Sequence, residues 1–211
     1  LDFRNGMKNY LRWNLTAAYN GQGEFVKEVQ YNFAPAALYR WILNDSTVLC
    51  KTLVDNNTRV VREVLVNGTD RTPGFLSELD KAKVQTENDG FVYNTLGTLV
   101  EYNPELDVVA EVSLYLDVIN LYSLHSNYHE SIQIGKKPVL ISDIEALMKS
   151  GIYDAHVKET VSSDSSFSLL YRDSAGDMSI LQFGWDGKPL SRISLPEKVS
   201  SLDIHGKDIW T

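Results

Sequence analysis

The apolar positions of this chain fall in short runs separated by polar turn sequences. Within a run they alternate instead of recurring at helical spacing. Leu99, Glu101 and Asn103 take one side of such a run and Val100 and Tyr102 the other, the period-two pattern of a strand. Four runs share a short pattern: Val26-Lys27-Glu28-Val29, Val61-Arg62-Glu63-Val64, Val109-Ala110-Glu111-Val112 and, more loosely, Leu190-Ser191-Arg192-Ile193. Their first residues lie 35, 48 and 81 positions apart. Halving the last interval gives a period of about 41, with a degenerate copy expected near residue 150. Each copy follows a turn sequence: Asn20-Gly21-Gln22-Gly23, Asp55-Asn56-Asn57, Asn103-Pro104-Glu105 and Asp186-Gly187-Lys188-Pro189. Each turn follows another apolar run, Leu11 to Leu15, Val48 to Val54, Thr98 to Tyr102 and Met178 to Phe183. The repeating unit is a hairpin with further strands around it.

One segment departs from this pattern. Ser142 and Glu145 have the spacing of a capping box, Lys149 suits a helix C-terminus and Gly151 the position beyond it, which predicts a short helix over Asp143–Lys149. It falls where the fourth unit should be, and is expected to replace or decorate that unit's outer strand. An all-β repeat of about 41 residues with four strands per unit predicts a β-propeller, because one small sheet buries both faces only when neighbours pack on either side. The expectation is a single ring over residues 1–211 of about five four-stranded blades, or six with one incomplete. Val199 to Ile204 and Lys207 to Thr211 would be the inner strands of the closing blade, with Leu1 to Met7 and Tyr10 to Ala17 as its outer ones, removing an exposed edge. A β-sandwich is the alternative, ranked second on the spacing.

Composition narrows the function. The 211 residues are 43% hydrophobic and 23% charged, an ordinary globular balance. A chain this long buries roughly 70% of its unfolded surface and needs no disulfide framework, which the lone Cys50 could not supply. Against 20 basic residues stand 28 acidic ones, for a net charge of −8, so a nucleic acid is not the expected partner. Apolar stretches such as Pro138-Val139-Leu140-Ile141 are far shorter than the ~20 residues of a membrane span.

Candidate chemistry is sparse. His125 and His129 flank a strand-to-loop junction where four residues span about 13 Å, too far for a shared metal. His156 and His205 stand isolated in sequence and are read as surface or strand residues. Ser162-Ser163-Asp164-Ser165-Ser166 lacks the glycines of a nucleophile elbow and reads as a polar loop. Asn88-Asp89-Gly90 and Asp186-Gly187 could offer oxygens to calcium but are better explained as hairpin turns. Asn14, Asn44, Asn56 and Asn67 head N-x-S/T sequences, of consequence only in a glycosylating host. No catalytic residue, metal site or cofactor is assigned. Among the aromatic residues, most are expected in the core. Tyr128 and Trp185, beside turns, are expected to reach solvent and contribute to ligand binding.

Three segments carry a resemblance: Leu43-Asn44-Asp45-Ser46-Thr47-Val48-Leu49-Cys50 with Val60 to Val66; Ile134-Gly135-Lys136-Lys137 before the helix; and Phe183-Gly184-Trp185-Asp186-Gly187-Lys188-Pro189-Leu190 with Ser200-Ser201-Leu202-Asp203-Ile204. Over roughly Phe33 to Thr211 the chain resembles the TolB-like six-bladed propellers of Bacteroides-type bacteria, a longer family with many predicted lipoproteins. The resemblance implies a cell-envelope location, periplasmic or attached to the outer membrane, with a lipid anchor upstream of Leu1, and brings no catalytic motif. The expected function is a non-enzymatic binding module for a protein or glycan. The alternative is a glycan-active hydrolase or lyase whose carboxylates converge from two blades within about 5–10 Å in the channel.

Overall fold

The computed structural model of the chain describes residues 2–4, 7–12, 15–19, 24–30, 37–44, 46–54, 59–76, 96–135, 137, 139–150, 154–196, 199, 201–205 and 208–210. The chain divides into two compact units, residues 1–81 and 82–211. The first holds two antiparallel meanders of four strands. One is formed by β1 (Asp2–Arg4), β2 (Met7–Arg12), β3 (Leu15–Tyr19) and β4 (Phe25–Gln30), the other by β5 (Ala37–Ile42), β6 (Thr47–Val54), β7 (Arg59–Val66) and β8 (Thr69–Asp70). The β7–β8 hairpin shows how local sequence sets the register. Asn67 and Gly68 take φ of 51° and 73°, so Val66 pairs with Thr69 across the two-residue turn that Asn-Gly favours. Ile42, Val48 and Cys50 are buried together on one face of this sheet with Leu65 against them.

The second unit holds two more four-stranded meanders, a helix and a short hairpin. The third sheet consists of β9 (Thr98–Asn103), β10 (Val108–Ser113), β11 (Val118–Tyr122) and β12 (His129–Gln133). Helix α1 (Ile141–Lys149) leads to the fourth sheet, of β13 (Val157–Ser162), β14 (Ser166–Arg172), β15 (Met178–Gly184) and β16 (Pro189–Ser194). A two-stranded sheet of β17 (Asp203–His205) and β18 (Asp208–Trp210) follows.

Packing in this unit explains why alternation weakens in the middle strands. Every residue of β10 is buried, as are most of β14 and β15, while β16 is exposed throughout and β12 nearly so. The fourth sheet has apolar contacts on both faces: Phe167, Leu169, Leu181 and Phe183 join Val108, Ala110, Val112, Ile119 and Leu121 of the third sheet in one core, while Leu170, Met178 and Ile180 pack with Leu202 on the other side. A sheet sandwiched in this way needs apolar residues at successive positions in its middle strands. The first strands lie side by side. Glu101 accepts hydrogen bonds from Thr160 (2.8 Å) and Ser162 (2.6 Å), and the Asn103 amide donates to the Asp164 carbonyl (2.9 Å). Contacts that advance together along both strands mean that β9 and β13 run in the same direction. On the far side of β13, the Leu202 N–H donates to Glu159 (2.5 Å). The protein is all-β, built of four-stranded antiparallel meanders with a short helix among the described residues, an architecture consistent with a propeller-like fold.

Several sequence expectations are corrected. The four tetrapeptide copies occupy unequal places, on β4, β7, β10 and β16, the last, third, second and last strands of their sheets. First strands begin at residues 2, 37, 98 and 157, intervals of 35, 61 and 59, so the period of about 41 marks no structural unit. Valines flanking charged residues suit any strand, and α1 occupies the place of the copy expected near residue 150. The helix lies between the third and fourth sheets and leaves each with four strands. It begins at Ile141, and the Leu140 carbonyl accepts from Asp143 N (3.1 Å) and Ile144 N (3.2 Å), so Ser142 is already inside the first turn and does not stand at the N-cap. Leu11 lies on β2 and Leu15 on β3, not on one strand, and the N-terminal strands pair with one another and with β4. Asn88-Asp89-Gly90 and Gly151 lie outside the described residues.

Candidate functional site

The third sheet carries two loops at one end, and their sequences close them tightly. In the β9–β10 loop the Asn103 side-chain oxygen accepts from the Glu105 and Leu106 N–H groups, both 3.0 Å, an Asx turn that brings Asp107 to φ 52°, a conformation aspartate tolerates. In the β11–β12 loop the Ser123 hydroxyl accepts from His125 N (3.1 Å) and Ser126 N (2.8 Å), and Ser123 N donates to the Tyr128 carbonyl (3.0 Å). Asp107 joins the two loops. Its carboxylate accepts from the Ser123 hydroxyl, His125 Nδ1 (2.9 Å), His125 N (3.0 Å), Leu124 N (3.4 Å) and the Tyr102 hydroxyl (3.3 Å).

Burial raises the Asp107 carboxyl pKa, but the bonds from Ser123 and His125 outweigh it and hold it below the usual value. Burial, then the Asp107 charge, push the Tyr102 phenol up to about 12. A carboxyl whose folded-state value is depressed contributes stability above its unfolded value, near 4, and that contribution is lost as pH falls through the folded value. Acidification below about pH 4 should therefore loosen the 123–128 loop. The amide resonances of Ser123 to Ser126 should report that transition in the wild type and lack it in Asp107→Asn.

This arrangement has the residue types of a serine–histidine–aspartate relay but not its connectivity. Ser123 is buried and donates to Asp107, and the histidine also bonds to that aspartate, so no imidazole activates the hydroxyl. Asp107 is a fastener that leaves the His125 ring 70% exposed. Three residues on, Tyr128 is 37% exposed. Its phenol pKa is raised by burial first, then by the charges of Glu130 and Asp186. Asp186 belongs to the β15–β16 turn of the fourth sheet, where it pairs with Lys188 at 2.6 Å. Gly187 in that turn has φ 78°, and a Cβ there would stand 2.6 Å from Ile132 Cδ1 and 3.1 Å from Leu121 Cδ1. The turn therefore sits directly against β11 and β12 of the third sheet, with the Asp186 charge near Tyr128.

Trp185 does not share this exposure. It is 4% exposed, its indole N–H donates to the Ser163 carbonyl (3.0 Å) and its ring leans on Phe167 at 5.2 Å. The expectation that it reaches solvent is corrected, because the tight 184–187 turn directs the ring into the inter-sheet core. The wild-type minus Trp185→Phe fluorescence difference should accordingly be blue-shifted and weakly quenched by iodide.

His129 starts β12 and its Nδ1 lies 3.1 Å from the Asn127 carbonyl. His156 is not isolated: Nδ1 meets Asp117 at 2.8 Å, with side chains 14% and 9% exposed. Asp117, at φ 54°, ends the β10–β11 loop at the opposite end of the sheet, and its charge, after burial, raises the pKa of Tyr171. Neither partnership was visible in sequence, since Asp107 and His125 are 18 residues apart and Asp117 and His156 are 39 apart. The available signal was an aspartate closing each of two consecutive loops. His205 lies on β17. Among the described residues no group of three metal-ligating side chains converges, and no helix there is long and apolar enough to cross a membrane.

No family model matches the chain, and no curated protein matches it. Solved structures match at low identity. A putative 6-phosphogluconolactonase from Bacteroides fragilis NCTC 9343 is 9% identical, with a TM-score of 0.43 over 93% of this chain and 59% of its own. A second from Bacteroides uniformis ATCC 8492 is 10% identical, with a TM-score of 0.41 over 95% and 58%. A eukaryotic initiation factor is 8% identical, with a TM-score of 0.40 over 94% and 42%. The chain thus spans between 42% and 59% of the length of these structures.

Proposed function

We propose that this chain is a non-enzymatic binding module of the bacterial cell envelope, a TolB-like propeller of about five blades anchored by a lipid upstream of Leu1. It holds a protein or glycan at the sheet end that carries Tyr128, and has no nucleic-acid partner. The supporting observation is the use of Asp107. Its carboxylate is spent on fastening two loops, which removes the serine and aspartate of the cluster from catalysis and presents Tyr128 and His125 on a rigid support, the condition for binding without a large ordering cost. The inner-strand carboxylates point the same way. Glu101 is engaged by Thr160 and Ser162, and Glu159 by Leu202 N, from the two sides of β13 and not across one gap, unlike the paired carboxylates of a glycosidase. A screen of the purified chain for hydrolysis and for binding tests the reading. We expect binding without turnover. A hydrolytic activity abolished by Glu101→Gln or His125→Ala would overturn it.

A further inference from the structure

We infer that the Tyr128 end of the second unit is a subsite for a neutral saccharide, a reading that rests on the binding function proposed above and narrows its ligand. Four observations carry it. Tyr128 is 37% exposed, and its backbone is held at the end of the loop by the Ser123 N–H, which donates to its carbonyl at 3.0 Å. The loop below it is fixed by the hydrogen bonds of Ser123 and Asp107, so little freedom is lost on binding. Asp186 is already paired with Lys188, so it does not offer an arriving cation an unneutralised carboxylate. The large apolar side chains exposed at these loops are Tyr128 and Leu106, too little for the apolar centre of a protein interface, which buries about 800 Å² on each side.

A rigid aromatic face with hydrogen-bonding groups beside it suits a sugar. The ring takes the C–H face of a pyranose, the carboxylate of Glu130 accepts from hydroxyls, and the imidazole of His125, held at Nδ1 by Asp107, presents Nε2 to another hydroxyl. Nothing in this arrangement requires a bond to be made or broken.

The test is saturation-transfer NMR and calorimetry with the intact chain, using neutral hexasaccharides of glucose, mannose and N-acetylglucosamine, with a lysine-rich peptide as a second probe. At least one hexasaccharide should bind, and Tyr128→Ala should weaken it about tenfold or more, with an unchanged near-ultraviolet dichroism spectrum. Tyr128→Phe, which keeps the ring and loses the hydroxyl, should fall between. Absence of hexasaccharide binding, or binding indifferent to Tyr128→Ala, overturns the inference. If the peptide alone binds and does so through Tyr128, the saccharide assignment fails while the binding face stands. If neither probe binds, both fail.

Discussion

Asp117→Ala should cost the second unit about 3 kcal/mol, the upper range for losing a buried hydrogen bond to a charged group. The Asp117 carboxylate meets His156 Nδ1 at 2.8 Å, with both side chains largely shielded from water. Burial first, and the Asp117 charge after it, hold the Tyr171 phenol far above its usual range. Alanine would remove the carboxylate that meets the imidazole and would place an ordinary side chain at φ 54°, a further cost. The residue also sits where the two sheets of the unit meet, since His156 precedes β13 and its N–H donates to the Leu114 carbonyl (2.8 Å). Loss of the carboxylate should thus be felt in both sheets. Urea dependence of amide exchange in β10 and β14 measures it directly. Asp117→Asn, which tolerates the backbone angle and keeps an acceptor, should lose clearly less. Equal losses for the two variants would show that charge and geometry at this position do not matter as argued.

Phe167→Ala should be of similar size, about 3–5 kcal/mol, for a different reason. Phe167 is fully buried, stacked on Phe183 at 5.6 Å and tilted against Trp185 at 5.2 Å. It fills the space between the third and fourth sheets, where rigid strands on both sides cannot collapse into the void. The variant should show a red-shifted Trp185 emission together with faster exchange of β14 and β15 amides, while Phe167→Leu should retain most of the stability. A loss below about 1 kcal/mol would mean that this core closes up far more readily than a sandwiched sheet should.

Much of the fold was legible because strand formation is a local matter. The β6, β9 and β15 strands were expected as Val48 to Val54, Thr98 to Tyr102 and Met178 to Phe183, within a residue or two of their observed spans. The turns at Asn103 and Asp186 were readable for the same reason, since side-chain oxygens and glycine fix those backbones over four or five residues. The spacing between sheets was not legible in this way. Nothing local makes Val61-Arg62-Glu63-Val64 a third strand and Val109-Ala110-Glu111-Val112 a second one, so a repeated tetrapeptide is no measure of the structural period.

The candidate site divides along the same line. Tyr128 was singled out beside a turn and is exposed there. Trp185 was singled out on the same ground and is buried, because a turn residue's exposure depends on what packs over it, here the face of the adjacent sheet. Asp107 and Asp117 drew no attention as site residues, because each acts through a histidine that the chain brings to it only after one or more further strands.

By itself, then, the sequence determined strands such as β6, β9 and β15, the turns at Asn103 and Asp186 and the short helix, all of them set by interactions between residues a few positions apart. Only the tertiary structure decided which strands share a sheet, which faces are covered on both sides, and that two aspartates clasp histidines 18 and 39 residues distant. Those outcomes depend on packing between sheets, where the free energy of burial and of satisfying buried polar groups is shared among residues that no local pattern relates.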